Sequence, residues 1–205
     1  GFTGAELSNL ITEAALLAAW NDKKVINMDD MEEAIDKVIA GPEKKSRIIT
    51  EEEKENTAYH EVGHALLSKL LKHSDPLHKV SIIPRGMALG VTMTLPEKDH
   101  LTYTREQLLD RISMLLGGRI AEEMIYGPQK ITTGAQNDIE RVTEIARKMV
   151  TAYGMSDVLG PMTFGKRNEH VFLGRDFGHE RDFSEEVASL IDKEIKKLVE
   201  EQYNS

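Results

Sequence analysis

Residues 57–66 read Thr57-Ala58-Tyr59-His60-Glu61-Val62-Gly63-His64-Ala65-Leu66, and the fold is read outward from them. Thr50 with Glu53 forms a capping-box pattern that opens a helix ahead of this stretch. Ala58, Val62, Ala65, Leu66 and Leu70 recur at helical spacing and are expected to be its buried face, to about Leu71. On one continuous helix, positions i and i+4 lie on the same side, so the imidazoles of His60 and His64 can reach a single metal ion. Glu61 sits one residue round the cylinder, where its carboxylate can hold and deprotonate a water. Gly63 has two readings: room for a neighbouring element to approach, or a tolerated helical glycine costing about 1 kcal/mol.

Downstream of this helix the period changes. Val80 to Ile83 and Ala88 to Thr94 read as two strands around Pro84-Arg85-Gly86. Thr104 to Ile125 is a strong helix with Leu108, Ile112, Leu115, Leu116 and Ile120 on its buried side, stopped by Gly127-Pro128. Thr133 with Gln136 reads as a second capping box, opening a helix that runs to Tyr153. Met155 to Gly178 is glycine-rich and loop-like. Asp182 with Glu185 is expected to cap a last amphipathic helix carrying Val187, Leu190, Ile191, Ile195, Leu198 and Val199. Upstream, Ala5 to Ala19 and a segment from Asn27 to Gly41-Pro42 form a helical hairpin with too little apolar area to stand alone. The fold class is therefore mainly α with one small β-sheet, preceded by a helical hairpin. Boundaries are expected at 1–41 for the hairpin, 42–49 for a charged linker and 50–205 for the main domain.

Composition narrows the chemistry. The 205 residues carry a net charge of −9 and no basic block, which argues against nucleic-acid binding. There is no cysteine, so a metal here takes nitrogen and oxygen ligands and no disulfide framework exists. No apolar run approaches the roughly 18 residues needed to cross a bilayer. The chain opens on Gly1, and it is expected to be an excised, soluble piece of a longer protein.

A catalytic zinc site usually has three protein ligands and a water, so a third ligand is needed. A further histidine close behind His64 is absent. The acids Glu122 and Glu123 on the Thr104–Ile125 helix, and Asp138 about one turn inside the next helix, all remain open. Asp138 is also the residue type that a helix N-terminus favours without any metal.

Four ordered motifs extend the reading: Tyr59 to Ala65, Ile82-Ile83-Pro84-Arg85-Gly86, Gly117-Gly118-Arg119-Ile120-Ala121-Glu122-Glu123, and Thr133-Gly134-Ala135-Gln136-Asn137-Asp138-Ile139. Together they resemble the FtsH family, the membrane-anchored, ATP-dependent zinc metalloproteases, over essentially the whole chain. Gly1 to Leu7 looks like the start of the last helices of that family's AAA+ lid, with Glu6 where aspartate is usual. The resemblance implies one Zn2+ per chain held by His60, His64 and Asp138, with Glu61 as the catalytic base. It implies a zinc-dependent endopeptidase module in a homo-hexamer whose ATPase ring delivers unfolded or membrane polypeptides. The parent is then expected in the bacterial inner membrane, with this domain facing the cytoplasm and the anchor in segments this piece lacks. No Gly-x-x-x-x-Gly-Lys-Ser/Thr loop is present, so ATP is expected to be used by a missing domain rather than bound here.

Leu89-Gly90-Val91-Thr92 is a candidate sheet edge to which an extended substrate adds as a strand, or simply a strand of the small sheet. His73, His78, His100, His170 and His179 read as surface or loop histidines, and Met87 and Met93 as packing residues. Two competing readings stand beside the protease. Deformylases share the His-Glu-x-x-His helix, but they take a cysteine ligand that this chain lacks. The other is an oligomerisation and substrate-docking module with a vestigial metal site.

Overall fold

Side chains close the ends of most helices in this computed structural model, which describes residues 2–44, 49–86, 89–96, 101–165 and 183–205. Helix α1 (Gly4–Trp20) opens on a Thr3/Glu6 capping box, and α2 (Met28–Ala40) on an Asn27/Asp30 box. Helix α3 (Glu51–Leu70) opens on Thr50/Glu53, and α4 (Arg105–Tyr126) on Thr104/Gln107. Gly41 and Gly127, at φ 89° and 81°, end α2 and α4 in a conformation that side-chain-bearing residues rarely adopt. Helices α5 (Gln136–Thr151) and α6 (Glu185–Tyr203) complete a mainly α domain.

The sheet has two antiparallel strands, β1 (Leu77–Ser81) and β2 (Val91–Thr94), pairing Leu77 with Thr94 and Ser81 with Val91. The register shifts between Leu77 and Lys79. The first strand begins earlier than the sequence pattern suggests and stops before Ile82. There Ser81 Oγ accepts from the Ile83 N–H at 3.2 Å, and Pro84 has no N–H to continue the ladder.

Leu108, Ile112, Leu115 and Leu116 of α4 form the core with Val142, Ala146, Met149 and Val150 of α5 and Ile191, Ile195 and Leu198 of α6. Each fully buried aliphatic side chain there contributes about 1.5–3 kcal/mol. The other side of α4 packs along α3. A smaller cluster, Leu10, Ala14 and Ala34, closes the α1–α2 hairpin.

Three expectations are corrected. Helix α3 turns inward Thr57, His60, Glu61, His64, Ala65 and Ser68, while Val62, Leu66 and Leu70 are 54%, 56% and 71% exposed. Its apolar stripe faces out because the polar residues are needed against α4. The Thr133/Gln136 box does not form: Thr132 caps a 3-10 turn at Thr133–Ala135, and α5 follows with no side-chain cap. Ser184 caps α6 in place of the expected Asp182, which lies outside the described residues.

The hairpin is fastened to the sheet. Lys44 N–H donates to the Pro84 carbonyl at 2.9 Å, and Glu43 bridges Arg85. Buried Arg85 reaches Glu33 at 3.1 Å and Glu43 at 2.8 Å, with Asp36 at 3.6 Å, and Lys79 binds Asp36. The expected linker 42–49 thus joins the fold at Pro42–Lys44, and residues 45–48 lie outside the described part.

Candidate metal centre

One turn of α3 separates His60 from His64, and both rings are buried, at 9% and 8% exposure. Their Nε2 atoms lie 3.1 Å apart. Each ring is held from behind through Nδ1: Glu122 Oε1 lies 2.8 Å from that of His60, and the Met114 carbonyl 2.8 Å from that of His64. Both acceptors favour a proton on Nδ1, so a neutral ring offers its Nε2 lone pair as a ligand.

Asp138, in the first turn of α5, brings Oδ2 to 3.4 Å from His60 Nε2 and 3.3 Å from His64 Nε2. Donor atoms on a tetrahedral zinc with bonds of about 2.0–2.1 Å are separated by roughly 3.3–3.4 Å. The two nitrogen–oxygen separations match that triangle, the nitrogen–nitrogen separation of 3.1 Å is slightly shorter, and two nitrogens with one carboxylate oxygen suit zinc. Among the described residues these three are the group of histidine and acidic side chains placed to hold an ion. The residues present therefore fit a zinc ion.

The charges around the triangle agree with that fit. Burial opposes ionisation of Asp138, but hydrogen bonds to His60 and His64 outweigh it and hold the carboxyl well below its ordinary range. Burial likewise opposes a charged His60, and the Asp138 and Glu122 carboxylates overcome it, raising that group above its usual value. A cation among these donors would take the place of those protons.

Glycines make the close packing possible. A Cβ on Gly63 would fall 2.3 Å from the Gly117 carbonyl oxygen, so α3 and α4 touch backbone to backbone there. A Cβ on Gly118 would lie within 2.4–2.6 Å of the His60 ring. Of the two readings of Gly63, the structure supports the close approach.

Glu61 is 7% exposed, and burial raises its carboxyl above the ordinary value against an opposing hydrogen bond from Thr92. Leu89 and Gly90 precede β2, Val91 and Thr92 begin it, and all four line the same cleft of about 810 Å³ as His60, Glu61, His64 and Asp138.

Neither alternative acid approaches the Nε2 pair from the cleft. Glu122 is 1% exposed behind His60, where Oε2 accepts the Thr132 N–H at 2.8 Å. With Arg119 donating to the Thr132 carbonyl at 2.9 Å, it anchors the turn that delivers Asp138. Glu123 accepts from the Tyr203 hydroxyl on α6. His73 pairs with Glu106 and His78 lies on β1, both outside the triangle, while His100, His170, His179 and Met87 are not among the described residues. Sequence reasoning missed the supporting roles of Glu122, Thr132, Gly118 and Thr92. Besides Gly63, the Gly117-Gly118 pair inside a strong helix was a signal of a close approach.

The sequence profile of peptidase family M41 matches residues 47–205, and that of the AAA+ lid domain matches residues 1–33. The chain is similar to an ATP-dependent zinc metalloprotease FtsH of Rubrobacter xylanophilus, 58% identical over 205 residues, covering 100% of this chain and 31% of that protein. It is 59% identical over 203 residues to an ATP-dependent zinc metalloprotease FtsH 1 of Thermoanaerobacter sp., covering 99% and 33%. The corresponding protein of Pseudothermotoga lettingae is 57% identical over 205 residues, covering 100% and 32%. The chain thus spans about a third of the length of these relatives.

Proposed function

This chain belongs to peptidase family M41, and from that premise we propose that it is the zinc-dependent endopeptidase module of a longer, ATP-driven protease. The observation that carries the reading is the triangle of His60 Nε2, His64 Nε2 and Asp138 Oδ2 with tetrahedral-zinc dimensions. His60, His64 and Asp138 would hold the ion. When bound, zinc polarises a carbonyl and lowers the pKa of water.

The chain's own residues supply the rest. Glu61 takes one proton from the attacking water. The water oxygen bonds to the peptide carbonyl carbon, the C–N bond breaks, and Glu61 returns the proton to the departing amine. β2 has one edge unpaired among the described residues, and an extended polypeptide can add there as a strand beside the Leu89–Thr92 segment. Glu122 and Met114 keep the imidazoles aimed.

Residues 1–41 are then the end of an AAA+ lid, 42–49 the connection, and 50–205 the protease. The substrates are unfolded polypeptides delivered by the ATPase of the parent, which assembles as a homo-hexamer. Val62, Leu66 and Leu70, with Met124 and Ile125, leave exposed apolar surface suited to subunit contacts. No described helix is long and apolar enough to cross a membrane; the parent is placed in the bacterial inner membrane.

Zinc content and casein cleavage test the reading together. One equivalent of zinc per chain, with cleavage abolished by a chelator and needing no ATP, is the expected result. A metal-free, inactive particle would favour the docking module with a vestigial site.

A further inference from the structure

The general base proposed above has a holder on a different element. Thr92 Oγ1 lies 2.6 Å from Glu61 Oε2 and 3.0 Å from the Glu61 carbonyl oxygen. A hydroxyl has one proton to give, and the shorter contact is to the charged oxygen, the stronger acceptor. The other oxygen, Oε1, takes no hydrogen bond from a described residue. It lies where a Cβ on Gly90 would come within 2.7 Å, and the Glu61 Cγ stands 2.8 Å from that same point. Valine has the β-branched shape of threonine and suits a strand at least as well, so strand formation gives the hydroxyl no use.

We propose that Thr92 is a positioning residue for the hydrolytic reaction: its hydroxyl pins Oε2 of Glu61, and bare Gly90 leaves the space in which Oε1 exchanges the proton. This rests on the protease reading of the same site. Strand β2 then has two tasks, offering an edge to substrate and aiming the base. The Thr92 proton stays on its own oxygen throughout, so the residue acts through Glu61 and touches no reacting atom. Glu61 leaves α3 on a side chain with three rotatable bonds, and the clamp removes the freedom that the helix alone cannot.

The test compares Thr92→Val and Thr92→Ser with the parent, first in metal-free crystals. The expected result is a Glu61 carboxylate displaced or spread over several rotamers in the valine variant and fixed in the serine variant. A carboxylate that stays put in the valine variant overturns the proposal, whether or not the chain cleaves peptides. In the zinc-loaded chain, Thr92→Val should lower kcat about 10- to 100-fold, the usual effect of losing such a supporting partner. KM and zinc content should hold, and serine should restore kcat. In a Glu61→Gln background the valine change should have no further effect. A raised KM with unchanged kcat, or an equal loss in the Glu61→Gln background, would show that Thr92 serves the substrate edge instead. A parent that holds zinc yet cleaves nothing would sink the protease reading, leaving the crystallographic comparison to decide the role of Thr92.

Discussion

Gly118 shows how little room the site leaves. Its missing side chain is the space that the His60 ring occupies, so Gly118→Ala should push the imidazole away from Asp138. Zinc affinity should fall about 10- to 100-fold by isothermal titration, while the helix gains propensity and the fold survives. Asp138→Asn keeps the shape but removes the negative charge from the triangle, and zinc should be lost on dialysis. Glu61→Gln should keep the metal and lose about 100- to 10,000-fold in casein turnover, the range for general-base help. At this scale the His60/Glu61/His64 grouping was plain from spacing alone. The choice of Asp138 over Glu122 and Glu123 was not, because it depends on where the distant turn at Thr133–Ala135 is tied down, and only the family resemblance pointed to it.

The elements are positioned by contacts that a one-dimensional pattern does not carry. The periodicity of α3 points to Val62, Leu66 and Leu70 as its buried face, yet they are exposed and the polar residues lie inward. The helix obeys the need to set His60 and His64 against α4 and Glu61 against β2, and that need is tertiary. On α6, which contributes no residue to the site, the apolar stripe and the buried face coincide. Arg85 fastens α2 to the loop between the strands, and removing it leaves buried Asp36 and its neighbours without their guanidinium. Arg85→Ala should lower stability by about 3 kcal/mol in urea unfolding.

Tyr203 joins α6 to α4. Burial, helped by its hydrogen bond to Glu123, pushes the phenol up to about 12. Its neutral form is favoured by folding, so the contribution is whole below pH of about 10 and is lost as pH rises towards 12. Tyr203→Phe should lower stability by about 2 kcal/mol near neutrality, with the difference from the parent shrinking across that alkaline window.

Across the whole molecule, α4 is the organising element: one side makes the core with α5 and α6, and the other carries Gly117, Gly118 and Glu122 to the metal triangle. Stability and metal binding should therefore be linked. Zinc at about 100 times its dissociation constant should stabilise the fold by about 2.7 kcal/mol, raising Tm in a scan, and Asp138→Asn should abolish the rise. The mainly α class and most helix limits were legible because caps and stripes are local signals. The fastening of the hairpin to the sheet was not, since no local pattern joins Glu33, Asp36 and Glu43 to Arg85, which the fold brings among them. An anomalous difference map at the zinc edge, from crystals grown with zinc, bears most directly on the whole account. It should show one peak about 2.0–2.1 Å from His60 Nε2, His64 Nε2 and Asp138 Oδ2. A peak bound by the two imidazoles with Asp138 out of reach, or no peak at the triangle, would contradict it.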